Sequence, residues 1–231
     1  MASILADFWN LVFPRTCLGC RERILLEGEQ NLCTYCRSRL PQTDHHLFPS
    51  ANALYDKLAA FVPLRAGMAY LLFTKSGRAQ QLLHSIKYRN LPELAEELGS
   101  WHGGLLAEVA YQQRLDALVP VPLHEKRLRQ RGYNQSHHIA LGLGRVLGLP
   151  VWQGVVERHL PSSTQTRKSR LQRWQNVEEI FRVVAPETVQ GCRLALVDDI
   201  ITTGATTAAC GMALLEAGCA ELDCLALATA Q

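Results

Sequence analysis

From residue 115 onward, segments with a strand-like pattern of apolar positions alternate with segments that have a helix-like pattern. Short apolar runs predict buried strands, and apolar residues spaced three or four positions apart predict amphipathic helices. The predicted strands cover about 115–122, 151–157, 181–184, 194–197 and 222–229, and the predicted helices cover about 134–147 and 205–217. Strands that alternate with helices indicate a mostly parallel sheet with helices on its faces. The pattern therefore predicts an α/β domain.

The preceding residues are organised differently. An apolar run at 66–73 is followed by two helical patterns, one over about 77–88 and one that begins at Pro92, a residue suited to a first helical turn. Residues 41–63 show little periodicity and include Pro41 and Pro49, which is typical of a linker. We predict a small module at 1–40, a linker at 41–63 and the α/β domain at 64–231.

Composition narrows the class of protein. The 231 residues are 48% hydrophobic and 19% charged, which favours a packed core over a disordered chain. The net charge of +3 is too small to indicate nucleic-acid binding by itself. The amino terminus lacks a basic region, and no run reaches the roughly 18 apolar residues of a membrane span. We expect a cytoplasmic protein, whose apolar stripe at 4–12 packs on the body of the protein or, alternatively, contacts a membrane.

Eight cysteines divide into two groups. Cys192, Cys210, Cys219 and Cys224 lie in apolar surroundings and are expected to be core residues. The other four, in the spacing C-x2-C-x12-C-x2-C, are Cys17, Cys20, Cys33 and Cys36. Paired C-x2-C motifs are typical of a closed structural Zn²⁺ site, and a redox pair is the alternative.

The most informative stretch is residues 194–207, where an apolar strand leads into Asp198 and Asp199, a turn rich in threonine with Gly204, and then a helix. A helix amino terminus at the carboxyl edge of a parallel sheet offers free N–H groups to a phosphate. The two carboxylates can accept hydrogen bonds from a vicinal diol and help hold a hydrated Mg²⁺. The alternative is that a threonine merely caps the helix and the aspartates are surface charges.

Two basic windows, 126–131 and 167–173, hold eight of the 24 lysine and arginine residues. The first window follows the end of a predicted strand. It should therefore lie at the same edge of the sheet as the turn after Asp198 and Asp199. The second lies in a long polar stretch, and a loop of that length suggests a segment that closes over a site. Fixed cations at such a site would stabilise an anionic ligand. The alternatives are solvated faces or a patch for nucleic-acid phosphates.

The run from Val197 to Thr206, Val-Asp-Asp-Ile-Ile-Thr-Thr-Gly-Ala-Thr, resembles the 5-phosphoribosyl-1-pyrophosphate (PRPP) loop of type I phosphoribosyltransferases. The resemblance implies a type I phosphoribosyltransferase domain in which Asp198 and Asp199 contact the ribose hydroxyls of the ligand. It also implies a 5-phosphate site formed by Thr202, Thr203, Gly204, Ala205 and Thr206.

A second pattern, Val-Pro-Val-Pro-Leu-His-x-x-Arg-x-x-x-Arg-Gly-Tyr-Asn-Gln-Ser over 119–136, resembles the ComF/GntX family of bacterial proteins. The Ser-Ile-Lys-Tyr-Arg stretch at 85–89 and the cysteine module belong to the same resemblance. Members are associated with natural competence and with the use of external DNA.

The resemblance also implies roles for individual side chains. The catalytic group would be Asp198, Asp199, Arg131 and Arg173. Pyrophosphate would be bound by Leu123, His124, Arg127 and Arg131. A flexible loop would carry Gln165, Arg167, Lys168, Arg170 and Asn176. Parts of 41–112, mainly 64–112, would form the hood that selects the acceptor base.

Two functions remain open at this point. The first is an enzyme that transfers ribose 5-phosphate between PRPP, bound with Mg²⁺, and a nitrogenous base during the processing of imported DNA. The second is a non-catalytic adaptor that senses PRPP or a nucleotide and contacts DNA or a helicase-like DNA-uptake partner.

Overall fold

The computed structural model describes residues 14–75, 77–158 and 180–230. The helices are α1 (Thr34–Arg37), α2 (Ala53–Ala59), α3 (Arg78–Tyr88), α4 (Pro92–Glu108), α5 (Glu125–Arg131), α6 (Gln135–Leu147), α7 (Pro186–Val189) and α8 (Ala205–Glu216). The strands are β1 (Ala66–Phe73), β2 (Ala117–Pro120), β3 (Val156–Arg158), β4 (Phe181–Val183), β5 (Arg193–Ile201) and β6 (Glu221–Ala230). A 3-10 turn spans Tyr111–Arg114.

Four strands form a parallel sheet in the order β1-β6-β5-β2. Successive residues of β5 face opposite sides: Leu194 packs with the α8 side and Ala195 with the side of α3, α4 and α6. Because both faces are covered, the central strands are apolar along nearly their whole length. The predicted α/β class, a parallel sheet flanked by helices with a small amino-terminal cysteine module, is confirmed.

One predicted strand joins a different sheet. The run at 151–157 contributes only β3, which pairs antiparallel with β4, and Val151 alone forms a bridge to the main sheet at Leu118. Gly154 has φ +81°, so the chain turns between Val151 and β3 and the run cannot continue as one strand.

Residues 41–63, assigned to a linker by their composition, pack on the sheet. The Thr43 N–H donates to the carbonyl of Tyr70 in β1 at 2.9 Å, and helix α2 buries Leu54 and Leu58 completely. Two leucines four positions apart are too short a pattern to be distinguished from a loop in the sequence.

Glycine explains the close crossing of α4 and α6. A Cβ atom on Gly99 would lie 2.3 Å from the carbonyl oxygen of Ile139, and one on Gly142 would lie 2.1 Å from that of Glu96. Glycine in the middle of a helix costs about 0.5–1 kcal/mol relative to alanine. Here its small size lets the two helices pack with their backbones in contact.

The amino-terminal apolar stripe and the second basic window lie outside the described residues. Across 14–75, 77–158 and 180–230, no helix combines the length and the apolar character needed to cross a membrane.

Candidate functional site

A polar cavity of about 230 Å³ lies at the carboxyl ends of β2 and β5. Four parts of the chain bring charged or polar side chains to it: the end of β5 with the loop after it, the segment after β2, the ends of neighbouring helices, and the end of β3. The lining residues are Lys87, Val121, Pro122, Leu123, Arg127, Arg131, Ser136, Arg158, Asp198, Asp199, Ile200, Ile201, Thr202, Thr203, Gly204, Ala205, Thr206 and Thr207.

The loop between β5 and α8 depends on Gly204. This residue has φ +81°, a conformation that side chains with a Cβ adopt at a cost, and an added Cβ would lie 2.7 Å from Cδ2 of Leu58. Among the described residues, no side chain caps α8. The first-turn N–H groups and the positive end of the helix dipole are therefore left to face an anion.

The threonines of this loop differ in exposure. Thr202, Thr203 and Thr206 are exposed, so their hydroxyl groups are available to a ligand. Thr207 is buried, and its hydroxyl group donates a hydrogen bond to Asp198 Oδ2 at 2.9 Å. The sequence places these four residues together, but only the structure separates the exposed hydroxyls from the buried one.

Asp198 is held by donors of the protein. Its Oδ1 accepts hydrogen bonds from the Asp199 N–H at 2.8 Å and from Ser136 Oγ at 3.3 Å, in addition to the Thr207 bond on Oδ2. Burial and the neighbouring Asp199 carboxylate together raise the pKa of Asp198 to about 6. The carboxylate is thus oriented before any ligand arrives.

Asp199 has a different environment, because it faces cations. Its Oδ2 lies 3.0 Å from Lys87 Nζ and 4.0 Å from an Arg131 guanidinium nitrogen. Arg131 also donates to Gln135 Oε1 at 2.7 Å, which fixes the guanidinium near the carboxylate.

The charge of the cavity suits a polyanion. Two carboxylates and four cationic side chains line it among the described residues: the cations are Lys87, Arg127, Arg131 and Arg158. Burial, with a smaller contribution from Arg127, lowers the pKa of Arg158. A negatively charged ligand in the cavity would offset the cost of burying this guanidinium.

The predicted site residues divide into three sets. Leu123, Arg127 and Arg131 line the same cavity as Asp198, Asp199 and the loop of 202–206. His124 instead caps α5, because its Nδ1 accepts the Lys126 N–H at 3.0 Å, and it is not among the lining residues. The proposed closing-loop and catalytic residues outside the described chain are Gln165, Arg167, Lys168, Arg170, Arg173 and Asn176.

Lys87, Ser136 and Arg158 also line the cavity, and no role was predicted for them from the sequence. Lys87 and Ser136 belong to motifs that carried the family resemblance, which was the available signal. Arg158 is the last residue of the short strand β3, which carries no motif, and nothing in its neighbourhood distinguished it.

The four amino-terminal cysteines converge on one point. The sulfur atoms of Cys17, Cys20, Cys33 and Cys36 all lie within 4.8 Å of one another. Four sulfurs about 2.3 Å from a tetrahedral Zn²⁺ would be about 3.8 Å apart, so this cluster could hold such an ion. The backbone N–H groups of Gly19 and Cys33 donate to Cys17 Sγ at 3.3 and 3.2 Å, as expected for a site that stabilises thiolates.

Curated relatives match nearly the whole chain. The DNA utilization protein YhgH of Escherichia coli (strain K12) is 32% identical over 225 residues, which cover 92% of this chain and 96% of the relative. The chain belongs to the family of this protein, the ComF/GntX family. The competence protein ComFC of Bacillus subtilis (strain 168) is 26% identical, covering 86% and 83% of the two chains. Competence protein F of Haemophilus influenzae is 36% identical over 126 residues, 54% of this chain and 55% of that protein.

No family model matches the chain. Among solved structures, the chain is similar to "the allosteric regulatory enzyme of purine biosynthesis", with 20% identity and a TM-score of 0.43 over 63% of this chain. It is also similar to the glutamine PRPP amidotransferase of B. subtilis, with 19% identity and a TM-score of 0.42 over the same share. Each match covers 30% of the larger chain.

Proposed function

We propose that this protein binds PRPP in the cavity at the end of β5 and transfers ribose 5-phosphate between PRPP and a nitrogenous base. One observation carries the proposal. The loop of 198–206 places two carboxylates and an uncapped helix amino terminus in one cavity, and cationic side chains line the same cavity. A ligand with both a diol and phosphate groups would satisfy each of these features.

The loop would divide the ligand between its two halves. The 5-phosphate would lie at the amino terminus of α8, bound by backbone N–H groups and by the exposed hydroxyls of Thr202, Thr203 and Thr206. The carboxylates of Asp198 and Asp199 would accept hydrogen bonds from the ribose hydroxyls. This arrangement keeps the negative carboxylates away from the negative 5-phosphate, because the carboxylates face the neutral ribose.

The cations would act on the leaving group. As the base nitrogen forms its bond to C1 of the ribose, the C1–O bond to pyrophosphate breaks and its electron pair stays on pyrophosphate. Arg127 and Arg131 would stabilise that developing charge. Each charge-assisted contact is worth about 1.5–3 kcal/mol. The nitrogen then releases its proton to solvent.

The names of the relatives suggest a setting for this chemistry. YhgH is named for DNA utilization and ComFC for competence. Degraded external DNA supplies free bases and nucleotides, and a phosphoribosyltransferase would convert such bases to nucleotides. We therefore propose a role in the use of imported DNA, with residues 64–112 forming the hood over the acceptor.

The cysteine cluster would have a structural role. We propose that it holds Zn²⁺, because four sulfur ligands leave no coordination position for a substrate. In its described residues, 14–40, the module buries few large apolar side chains. Metal binding would supply the free energy that this small core lacks.

A specific observation supports an adaptor as the second candidate. In the cysteine module, Arg23 and Arg39 lie 4.5 and 4.3 Å from the ring centroid of Tyr35, which is 39% exposed. Arginine and exposed aromatic rings together suit single-stranded nucleic acid. A protein that sensed PRPP or a nucleotide through the cavity could contact DNA or a DNA-uptake partner through this surface.

Calorimetric titration of the zinc-loaded protein with PRPP tests the first proposal, using Asp199→Asn as the site variant. Asp116→Asn is the matched control, since Asp116 pairs with Arg193 at 2.7 Å at the other end of the sheet. We expect micromolar binding that only Asp199→Asn abolishes, followed by base-dependent release of pyrophosphate. Absence of PRPP binding by the intact protein would refute the proposal. PRPP binding without turnover, together with salt-dependent DNA binding, would favour the adaptor.

A further inference from the structure

The carboxylates of the cavity fit a magnesium ion poorly. Mg²⁺ requires a nearly octahedral set of oxygen ligands at about 2.0–2.1 Å. Both oxygens of Asp198 already accept hydrogen bonds from protein donors, and Oδ2 of Asp199 lies 3.0 Å from Lys87 Nζ. A divalent cation on Asp199 would have to displace the ammonium group or stand close to it, and like charges at that distance repel strongly.

Lys87 is held firmly in this position. It lies in the last turn of α3, whose inner face buries Leu82, Leu83 and Ile86. The hydroxyl group of Tyr133 donates to the carbonyl of Ile86, which ties this turn to the segment before α6.

The ion pair between Lys87 and Asp199 is largely shielded from water. The side chain of Lys87 is 18% exposed and that of Asp199 is 11% exposed. Screening is weaker there than at the surface, and breaking the pair would leave a charge without its partner. Arg131, at 4.0 Å, is the second cation of this carboxylate.

We propose that Lys87 is the resident counter-cation of Asp199 and takes the place beside this carboxylate that a divalent cation would otherwise hold. The ribose hydroxyls of a phosphoribosyl ligand then bind to carboxylates that the protein itself has neutralised, without Mg²⁺ between them. The part concerning the ligand rests on the function proposed above, and the part concerning the metal does not.

The first experiment uses Mn²⁺ alone as the probe, because it takes oxygen ligands as Mg²⁺ does and its free form is measured by electron paramagnetic resonance. Zinc-loaded wild-type protein, Lys87→Gln and Lys57→Gln are titrated without PRPP. Lys57 is the matched control, a half-buried lysine that donates to the carbonyl of Ala230 and is not among the cavity lining.

We expect Lys87→Gln to bind one Mn²⁺ about tenfold or more tightly than either other protein, since one charge-assisted contact corresponds to at least that factor. Adding Asp199→Asn to Lys87→Gln should abolish the gain, which places the ion at this carboxylate. Equal Mn²⁺ affinity of wild type and Lys87→Gln, in a variant whose circular dichroism and zinc content match wild type, would overturn the proposal.

The second experiment measures PRPP affinity in Mg²⁺ and in a chelator of Mg²⁺ that leaves the zinc content unchanged. Because Mg²⁺ also binds the pyrophosphate of PRPP, the readout is the difference in Mg²⁺ dependence between the two proteins. Removing Mg²⁺ should weaken binding about tenfold more in Lys87→Gln than in wild type. An equal Mg²⁺ dependence of the two proteins would contradict the role of Lys87. If no variant binds PRPP but Lys87→Gln gains Mn²⁺, the proposed function fails and the counter-cation stands.

Discussion

Replacing Gly204 by alanine tests whether the shape of the loop between β5 and α8 depends on this residue. Two costs are expected in the folded protein. A residue with a Cβ at φ +81° costs about 1–2 kcal/mol, and the new methyl group, 2.7 Å from Leu58 Cδ2, adds about 1–3 kcal/mol of overpacking. The free energy of unfolding should therefore fall by about 2–5 kcal/mol.

Gly154→Ala separates the two costs. Gly154 has the same φ, +81°, but no atom of the described residues lies within 4 Å of the position that its new methyl group would take, so only the backbone cost of about 1–2 kcal/mol applies. Urea unfolding of both zinc-loaded variants gives the comparison. The difference between them measures the contact with Leu58.

A functional measurement completes this test. Gly204→Ala should also lose PRPP affinity under conditions in which it remains folded, because the first turn of α8 must shift to relieve the contact. Gly154→Ala should bind as wild type does. Equal destabilisation of the two variants would show that the Leu58 contact has no energetic cost. Unchanged PRPP binding by Gly204→Ala would refute the dependence of the anion site on this loop shape.

Three further predictions concern stability. Gly142→Ala should destabilise the protein by about 2 kcal/mol or more in urea unfolding, because its Cβ would meet the Glu96 carbonyl oxygen at 2.1 Å; Gly104→Ala, with open space around it in α4, should be neutral or stabilising by up to about 1 kcal/mol. Asp198→Asn should raise the free energy of unfolding by up to about 3 kcal/mol at pH 7.5 and leave it unchanged below about pH 4. Removing zinc with a chelator, or Cys36→Ser, should unfold the cysteine module and lower the melting temperature.

The sign of the Asp198 effect follows from its pKa, which is raised from 3.8 to about 6. A raised pKa means that the folded state favours the protonated carboxyl. The free energy of unfolding of the wild-type protein is therefore highest below about pH 4 and falls as the pH rises through about 6. Asparagine does not ionise and avoids this loss. A pH-independent difference between the wild type and Asp198→Asn would show that burial of the charge is not its cause.

The other two predictions have their own refuting outcomes. Equal effects of Gly142→Ala and Gly104→Ala would contradict the close helix crossing. An unchanged melting temperature without metal would contradict a structural zinc.

Features built from residues close together in the chain could be predicted from the sequence. The two C-x2-C pairs predicted one cluster, and the structure brings their four sulfurs together. The apolar run before Asp198 predicted a strand, and its turn chemistry predicted the helix that follows, which is observed as α8. These features depend on residues that are close in sequence, where spacing alone determines which side chains can meet.

Contacts between distant segments depended on the tertiary structure. Lys87 and Asp199 are 112 positions apart and meet only because α3 ends at the edge of the sheet where β5 also ends. In the same way, Thr207 turns inward to Asp198 while Thr206 remains exposed, a difference set by packing beneath the loop. The sequence by itself determined the α/β class, the strand, loop and helix around Asp198 and Gly204, and the cysteine cluster. Packing decided which charges neutralise one another, because an ion pair depends on distance in space and not on separation along the chain.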